Sequence, residues 1–215
     1  MVNLFSSLSP YLPYFSIQQR IKKGDDDSTM GKESPSIQKA LAAAKSATTL
    51  RLHFPEATVT AAGTNLSIPH ATPTPTLSIA ASALKSEPGT KYVAVSIDLD
   101  APFPSFSILG PILHGLLIDL VPGTPDSDGF APLEGPKDWL APYLPPGPPK
   151  PSSAHRYVFL VFEQPKALDA AKIRSLLGLA EEVKLTSRLW WNEETFEKKL
   201  ELGDVLAGNY WLTSA

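Results

Sequence analysis

Apolar positions recur along the chain with two periods, and the changes between them mark out the elements. "KYVAVSIDL" (91–99), "ILHGLLIDLV" (112–121) and "HRYVFLVFEQ" (155–164) are near-continuous apolar runs rich in β-branched and aromatic residues. That is the pattern of buried strands. "LRLHF" (50–54) alternates strictly, with Leu50, Leu52 and Phe54 on one face and Pro55 closing the run. "ATVTAAG" and "TNLSI" read as short strands about Gly63, a hairpin. "PHATPTPTLSIAA" (69–81) is extended, ending in a strand at Leu77 and Ile79, and "AGNYWLTSA" closes the chain as another strand.

Helical spacing appears in three places. "SPSIQKALAAAKSA" (34–47) offers Ser34 as N-cap and Pro35 at the first helical position. "ALDAAKIRSLLGLA" (167–180) carries Leu168, Ala171 and Leu176 and stops at Gly178. "NEETFEKKLELG" (192–203) opens on Asn192 with Glu193 and Glu194 in the first turn, and closes on Gly203. Strands and helices do not alternate regularly. The expected fold class is therefore mostly β, an antiparallel sheet with peripheral helices. Between Pro122 and Ala154 a long stretch dense in proline and glycine reads as a functional loop or linker.

The 215 residues suit one globular domain, expected over 34–215, with an N-terminal tail or arm over 1–33. Net charge is −3, which gives no footprint for nucleic acid, so no nucleic-acid partner is expected. Cysteine is absent, which removes disulfides and thiol chemistry and points to a cytoplasmic protein. No run approaches the roughly 18 apolar residues of a membrane span, and Pro10 and Pro13 break the only segment resembling a signal peptide.

The candidate chemistry is carried by few residues. Of four histidines, His53 and His70 sit in polar surroundings, whereas His114 and His155 lie at or inside apolar runs. In an extended chain, residues two apart face the same way, so Asp98 and Asp100 could both line one cavity. The alternative is that one of them caps the turn that follows. A metal site built from Asp98, Asp100, His114 and His155 lacks any H-x-H or H-E-x-x-H spacing, so neither metal nor cofactor is expected. "GPPKP" (147–151) reads as a backbone turn beside the pocket.

"DLDAP" (98–102), "LHGLLIDL" (113–120), "GPPKPSSAHRYVFLVFEQP" (147–165) and "FEKKLELGDVLAGNYW" (196–211) come in the order and spacing of the phosphatidylethanolamine-binding protein family. The chain resembles that family over roughly residues 48 to 215. The resemblance implies a large central antiparallel sheet, a smaller sheet and flanking helices. It also implies a small anion pocket lined by Asp98, His114, the Gly147–Pro148 turn, His155 and Tyr157, with Asp100 and Pro102 at its rim. Such pockets take phosphate, phosphorylated head groups or small carboxylates, and the family suggests kinase or protease inhibition as a protein-partner role.

Three positions depart from the family pattern: Leu99 between the two acids, the apolar "FPSFSILGP" after the motif, and Gly115 after the pocket histidine. Together they imply a wider and more apolar mouth. The leading expectation is a small anionic ligand or metabolite held in the pocket. The alternative is a cofactor-free cyclase or lyase. It would use Asp98, His114 and His155 as acid–base groups on a carboxylate or anhydride of the maleidride type.

Overall fold

Ser34 and Pro35 start the first helix as their chemistry predicts. Helix α1 spans Pro35–Ser46, and the Ser34 hydroxyl accepts a hydrogen bond from the Ile37 amide. The computed structural model describes residues 33–85 and 87–215, and the arm expected over 1–33 lies outside the described residues except for Glu33. The buried face of α1, formed by Ile37, Ala40, Leu41 and Ala44, lies over the C-terminal strand. The approach is close because that strand presents Gly208, where a Cβ would stand 2.8 Å from that of Ala40.

The described strands are β1 (Leu50–Phe54), β2 (Ala57–Val59), β3 (Thr64–Asn65), β4 (Thr76–Ala80), β5 (Lys91–Asp98), β6 (Ile112–Pro122), β7 (Phe130–Glu134), β8 (His155–Gln164) and β9 (Ala207–Thr213). They pair in the order β2-β1-β4-β7-β6-β5-β8-β9-β3, and all pairings are antiparallel except that of β3 with β9. Strand β6 joins two parts. Its body pairs with β5, while Val121 and Pro122 pair with β7, so the long sheet continues into a smaller one. The shorter helices are α2 (Ile68–Ala71), α3 (Ala170–Leu177) and α4 (Glu193–Leu200).

Both faces of the larger part are covered, which is why its strands read as unbroken apolar runs. Val93, Val95 and Ile97 of β5 point to one side and pack with Ile37, Ile173 and Phe196 of the helices. Tyr92 and Ala94 point to the other side. There they join Phe159, Trp211 and the β1 and β4 residues Leu50, Leu52 and Ile79 between the two parts of the sheet. Polar Ser96 and Asp98 continue that inter-sheet face, so the layer becomes polar where β5 ends.

Four local expectations need correction. Strands β2 and β3 do not form a hairpin: β2 pairs with β1, while the Gly63 amide bonds to Tyr210 O and β3 lies beside β9. Gly63 does make a tight turn, at φ 78°. The 69–81 stretch begins in the short helix α2, and the long proline-rich stretch contains strand β7. Helix α4 ends at Leu200, with Glu201 in the left-handed conformation two residues before Gly203. The αL stop is thus made by Glu201, whose amide satisfies the Glu197 and Lys198 carbonyls.

Candidate functional site

Three adjacent strands deliver the polar end of the inter-sheet layer. Asp98 is the last residue of β5, His155 the first of β8, and Asp98 is paired with both Ile112 and Tyr157. The pairing of β5 with β6 goes from Ser96–Gly115 directly to Ile97–Leu113 and skips His114. His114 is thus the extra residue of a bulge, which frees its side chain from the strict alternation of the strand. The imidazole thereby joins Asp98 and His155, and all three are almost fully buried.

Asp98 is held at both oxygens. Oδ1 accepts the Asp100 amide at 2.8 Å, and Oδ2 lies 2.9 Å from His155 Nδ1. On the far side of that ring, Nε2 is 2.9 Å from the Ser152 hydroxyl. His114 places Nδ1 2.7 Å from the Leu144 carbonyl, an acceptor, so that nitrogen carries the proton. Its Nε2 is left facing Asp98 Oδ2 at 4.0 Å, beyond hydrogen-bond distance. Burial holds the His114 pKa below its ordinary value, against the opposing pull of the Asp98 carboxylate. The ring is therefore neutral near pH 7.

Tyr157 backs both imidazoles. Its ring meets His114 edge-on at 5.1 Å, lies parallel to His155 at 6.2 Å, and stacks on Trp211 at 5.2 Å. The Tyr157 hydroxyl is buried without a hydrogen-bond partner of normal geometry, although Asp98 and the Gly147 amide lie near enough to influence it. Burial first, and the Asp98 charge second, push its ionisation far above the usual phenol range, so it stays protonated and available as a donor. Arg188, also buried, donates to the Leu113 and Pro142 carbonyls and ties the 142–144 segment to β6.

A narrow cleft ends on these groups. Asp98, His114, His155 and Gly147 form its polar end, and Leu109, Ile112, Leu144, Leu185 and Leu189 line the apolar remainder. The structure thus brings together four of the residues singled out from the sequence. Asp100, Pro102, Pro148 and Tyr157 are not in the cleft wall.

The expectation that both acids line one cavity fails because β5 ends at Asp98, and the side-chain alternation ends with it. Asp100 instead accepts from the Arg156 amide at 2.8 Å, from Nε at 2.9 Å and from Nη2 at 2.7 Å. The opposite side of the same guanidinium pairs with Glu33. Leu185, Leu189 and Ser152 were not legible as site residues. The leucines sit in a segment without apolar periodicity. Ser152 had only its place three residues before His155 to mark it.

The phosphatidylethanolamine-binding protein family model matches residues 44–210. Among curated relatives, a 26 kDa secreted antigen of Toxocara canis is 28% identical over 131 residues, 61% of this chain and 45% of that protein. Phomoidride biosynthesis cluster protein N of Talaromyces stipitatus is 31% identical over 126 residues, 58% of this chain and 59% of that protein. The chain thus spans about half the length of these curated relatives. A solved structure of carboxypeptidase Y inhibitor in complex with its cognate proteinase superposes with a TM-score of 0.62. The match covers 94% of this chain and 96% of the inhibitor at 21% identity, and at that identity it shows the fold alone. Among the described residues, no helix is long and apolar enough to cross a membrane.

Proposed function

This chain belongs to the phosphatidylethanolamine-binding protein family, and on that premise we propose that its cleft binds a small anionic group carried on an apolar body. The observation that carries the reading is the His114 imidazole, buried at the end of an apolar cleft with Nε2 unbonded. An anion placed beside Asp98 would be repelled unless a positive charge accompanied it. His114 supplies that charge by taking a proton at Nε2, which then donates to the ligand while Nδ1 stays on Leu144. Ligand binding and proton uptake are therefore coupled. Leu109, Ile112 and Leu189 would hold an alkyl portion, so a phosphate monoester or carboxylate with a short chain fits better than the bare ion.

The test is titration calorimetry with inorganic phosphate and with hexanoate between pH 5.5 and 8. Affinity should rise as pH falls, the heat should vary with buffer ionisation enthalpy, and His114→Ala should abolish both signals. Equal affinity across that range would overturn the reading.

A second reading is favoured by the apolar cleft walls and by the relative from a phomoidride cluster. Here the same pocket does cofactor-free acid–base chemistry on a carboxylate or anhydride of the maleidride type. His114, neutral with a free Nε2, is the base that removes a proton α to the carbonyl. Asp98, acting through His155, holds the opposite wall. Deuterium exchange into an alkyl-maleic anhydride or its diacid, seen by NMR with the protein and lost in His114→Ala, would support it. Exchange at the uncatalysed rate would exclude it.

A further inference from the structure

Ser152, His155 and Asp98 form a linear relay whose serine neither reading above uses. Ser152 Oγ is 2.9 Å from His155 Nε2, and His155 Nδ1 is 2.9 Å from Asp98 Oδ2. The carboxylate is fixed in turn by the Asp100 amide on its other oxygen. His155 and Asp98 are buried while Ser152 is half-buried, so a dry base is joined to a reachable hydroxyl.

We propose that Ser152 is a nucleophile for acyl transfer, activated by His155 and oriented by Asp98, with substrates that are esters or cyclic anhydrides bearing a short apolar acyl group. Such triads are recognised by geometry and roles, not by sequence order. Here the serine lies three residues from its base, which is why no strand–turn–helix nucleophile motif marks it. The inference rests on the pocket reading only for where the acyl chain lies, along Ile112 and Leu144 of the cleft that His155 lines.

Proton placement decides when the hydroxyl is competent. The Asp98 carboxylate can only accept, so His155 Nδ1 carries the proton between them. In neutral His155, Nε2 is then a bare acceptor and takes the Ser152 proton. When His155 is protonated, Nε2 becomes a donor, and the hydroxyl turns to its other acceptor within reach, the Ser153 carbonyl at 2.9 Å.

In the forward step Ser152 Oγ bonds to the acyl carbon as its proton passes to His155 Nε2. The carbon–oxygen bond to the leaving group then breaks. An alcohol leaves with the proton from His155, whereas an anhydride opens to a carboxylate that stays on the acyl group, and His155 then returns its proton to solvent before water attacks. Water attacks the Ser152 ester, gives its proton to His155 and releases the acid, and Ser152 recovers its own proton. The net reaction is hydrolysis, or acyl transfer where another hydroxyl replaces water.

The experiment uses two uncharged probes, p-nitrophenyl butyrate and an alkyl fluorophosphonate, on the full chain. Neither requires anion binding, so phosphate titration and labelling succeed or fail separately. The expected result is a nitrophenolate burst of one equivalent per chain and a single adduct mapped by peptide mass spectrometry to Ser152. Ser152→Ala should lose burst and adduct, and Asp98→Asn should slow the burst by about 10²–10⁴-fold. A Ser152→Cys variant labelled by iodoacetamide at the same position confirms that the site is folded and reachable. The absence of an adduct with both probes, an adduct elsewhere, or equal labelling in His155→Ala would overturn the proposal.

Discussion

Gly115→Ala is the sharpest probe of how the site is supported. A Cβ at this position would stand 2.5 Å from Trp139 Cζ3 and 2.7 Å from Cε3. Ordinary carbon contacts lie near 3.5–4.0 Å, so the indole must retreat by roughly 1 Å. It has little room, since it meets Tyr143 edge-on at 5.9 Å and Phe159 at 6.2 Å. Nor can its backbone give freely, because Ala141 and Leu116 exchange two hydrogen bonds and the Leu144 amide bonds to His114 O at 2.7 Å. Overpacking of this kind costs about 1–3 kcal/mol.

For a chain of this size that is about 2–4 °C of melting temperature per kcal/mol, measured by calorimetry with urea midpoints as a second reading. The strain also reaches the site, because Leu144 orients His114 through both its amide and its carbonyl. Phosphate-dependent stabilisation should therefore fall in parallel. Trimming the indole in Gly115→Ala/Trp139→Leu should restore part of the loss, with a coupling of about 1 kcal/mol or more. An unchanged melting temperature, or strictly additive single and double variants, would refute this account of why glycine follows the pocket histidine.

Removing the guanidinium in Arg156→Met leaves the buried Asp100 carboxylate with only the Arg156 amide; we expect a loss of about 2–4 kcal/mol by urea denaturation, with Arg156→Lys recovering less than half. Because burial holds His114 below its ordinary value of 6.5, the unfolded chain binds the proton more readily. Stability is then full above pH 6.5 and declines as pH falls from there, a slope that His114→Gln should flatten in pH-dependent melting curves. Glu193 behaves oppositely: burial raises its carboxyl from 4.5 to about 8, so the stabilising protonated form is complete below 4.5 and is lost as pH rises towards 8. Glu193→Gln keeps the acceptor for Trp191 Nε1 and should gain on wild type by a few kcal/mol (order of magnitude) between those limits, seen as a shallower alkaline decline.

The parts of the fold legible in the sequence were those whose residues answer to a strong local rule. Val93 to Ile97, Leu113 to Leu120 and Tyr157 to Phe162 are covered on both faces, so their composition alone marks them. Ser34 and Asn192 each cap a helix through a side chain chosen for that job, whereas the Asp169 cap emerges only in the structure. What escaped was set by distant partners. Asp100 turned to Arg156, 56 residues away, and the bulge that aims His114 exists only against β5. The two-residue strand β3 is defined by β9 rather than by its own Thr64 and Asn65. The cleft leucines Leu185 and Leu189 belong to a segment shaped by Arg188 and the Val183 carbonyl, a tertiary arrangement with no sequence period.

Strand β5 lies between β6 and β8, and this has a consequence for the protein while it is being made. Asp98 and the histidine that anchors it are 57 residues apart. At about 5–20 residues per second on the ribosome, roughly 3–11 s separate their synthesis. During that interval β5 can pair with β6, but its other edge, Val93 to Ile97, has no strand to cover it. The nascent chain thus offers an apolar, uncharged edge of the kind that recruits foreign strands or chaperones. Arrival of β8 closes the edge and assembles the Asp98–His155 relay in one event, so an aborted or slowed translation product would be aggregation-prone and without a site, never half-active.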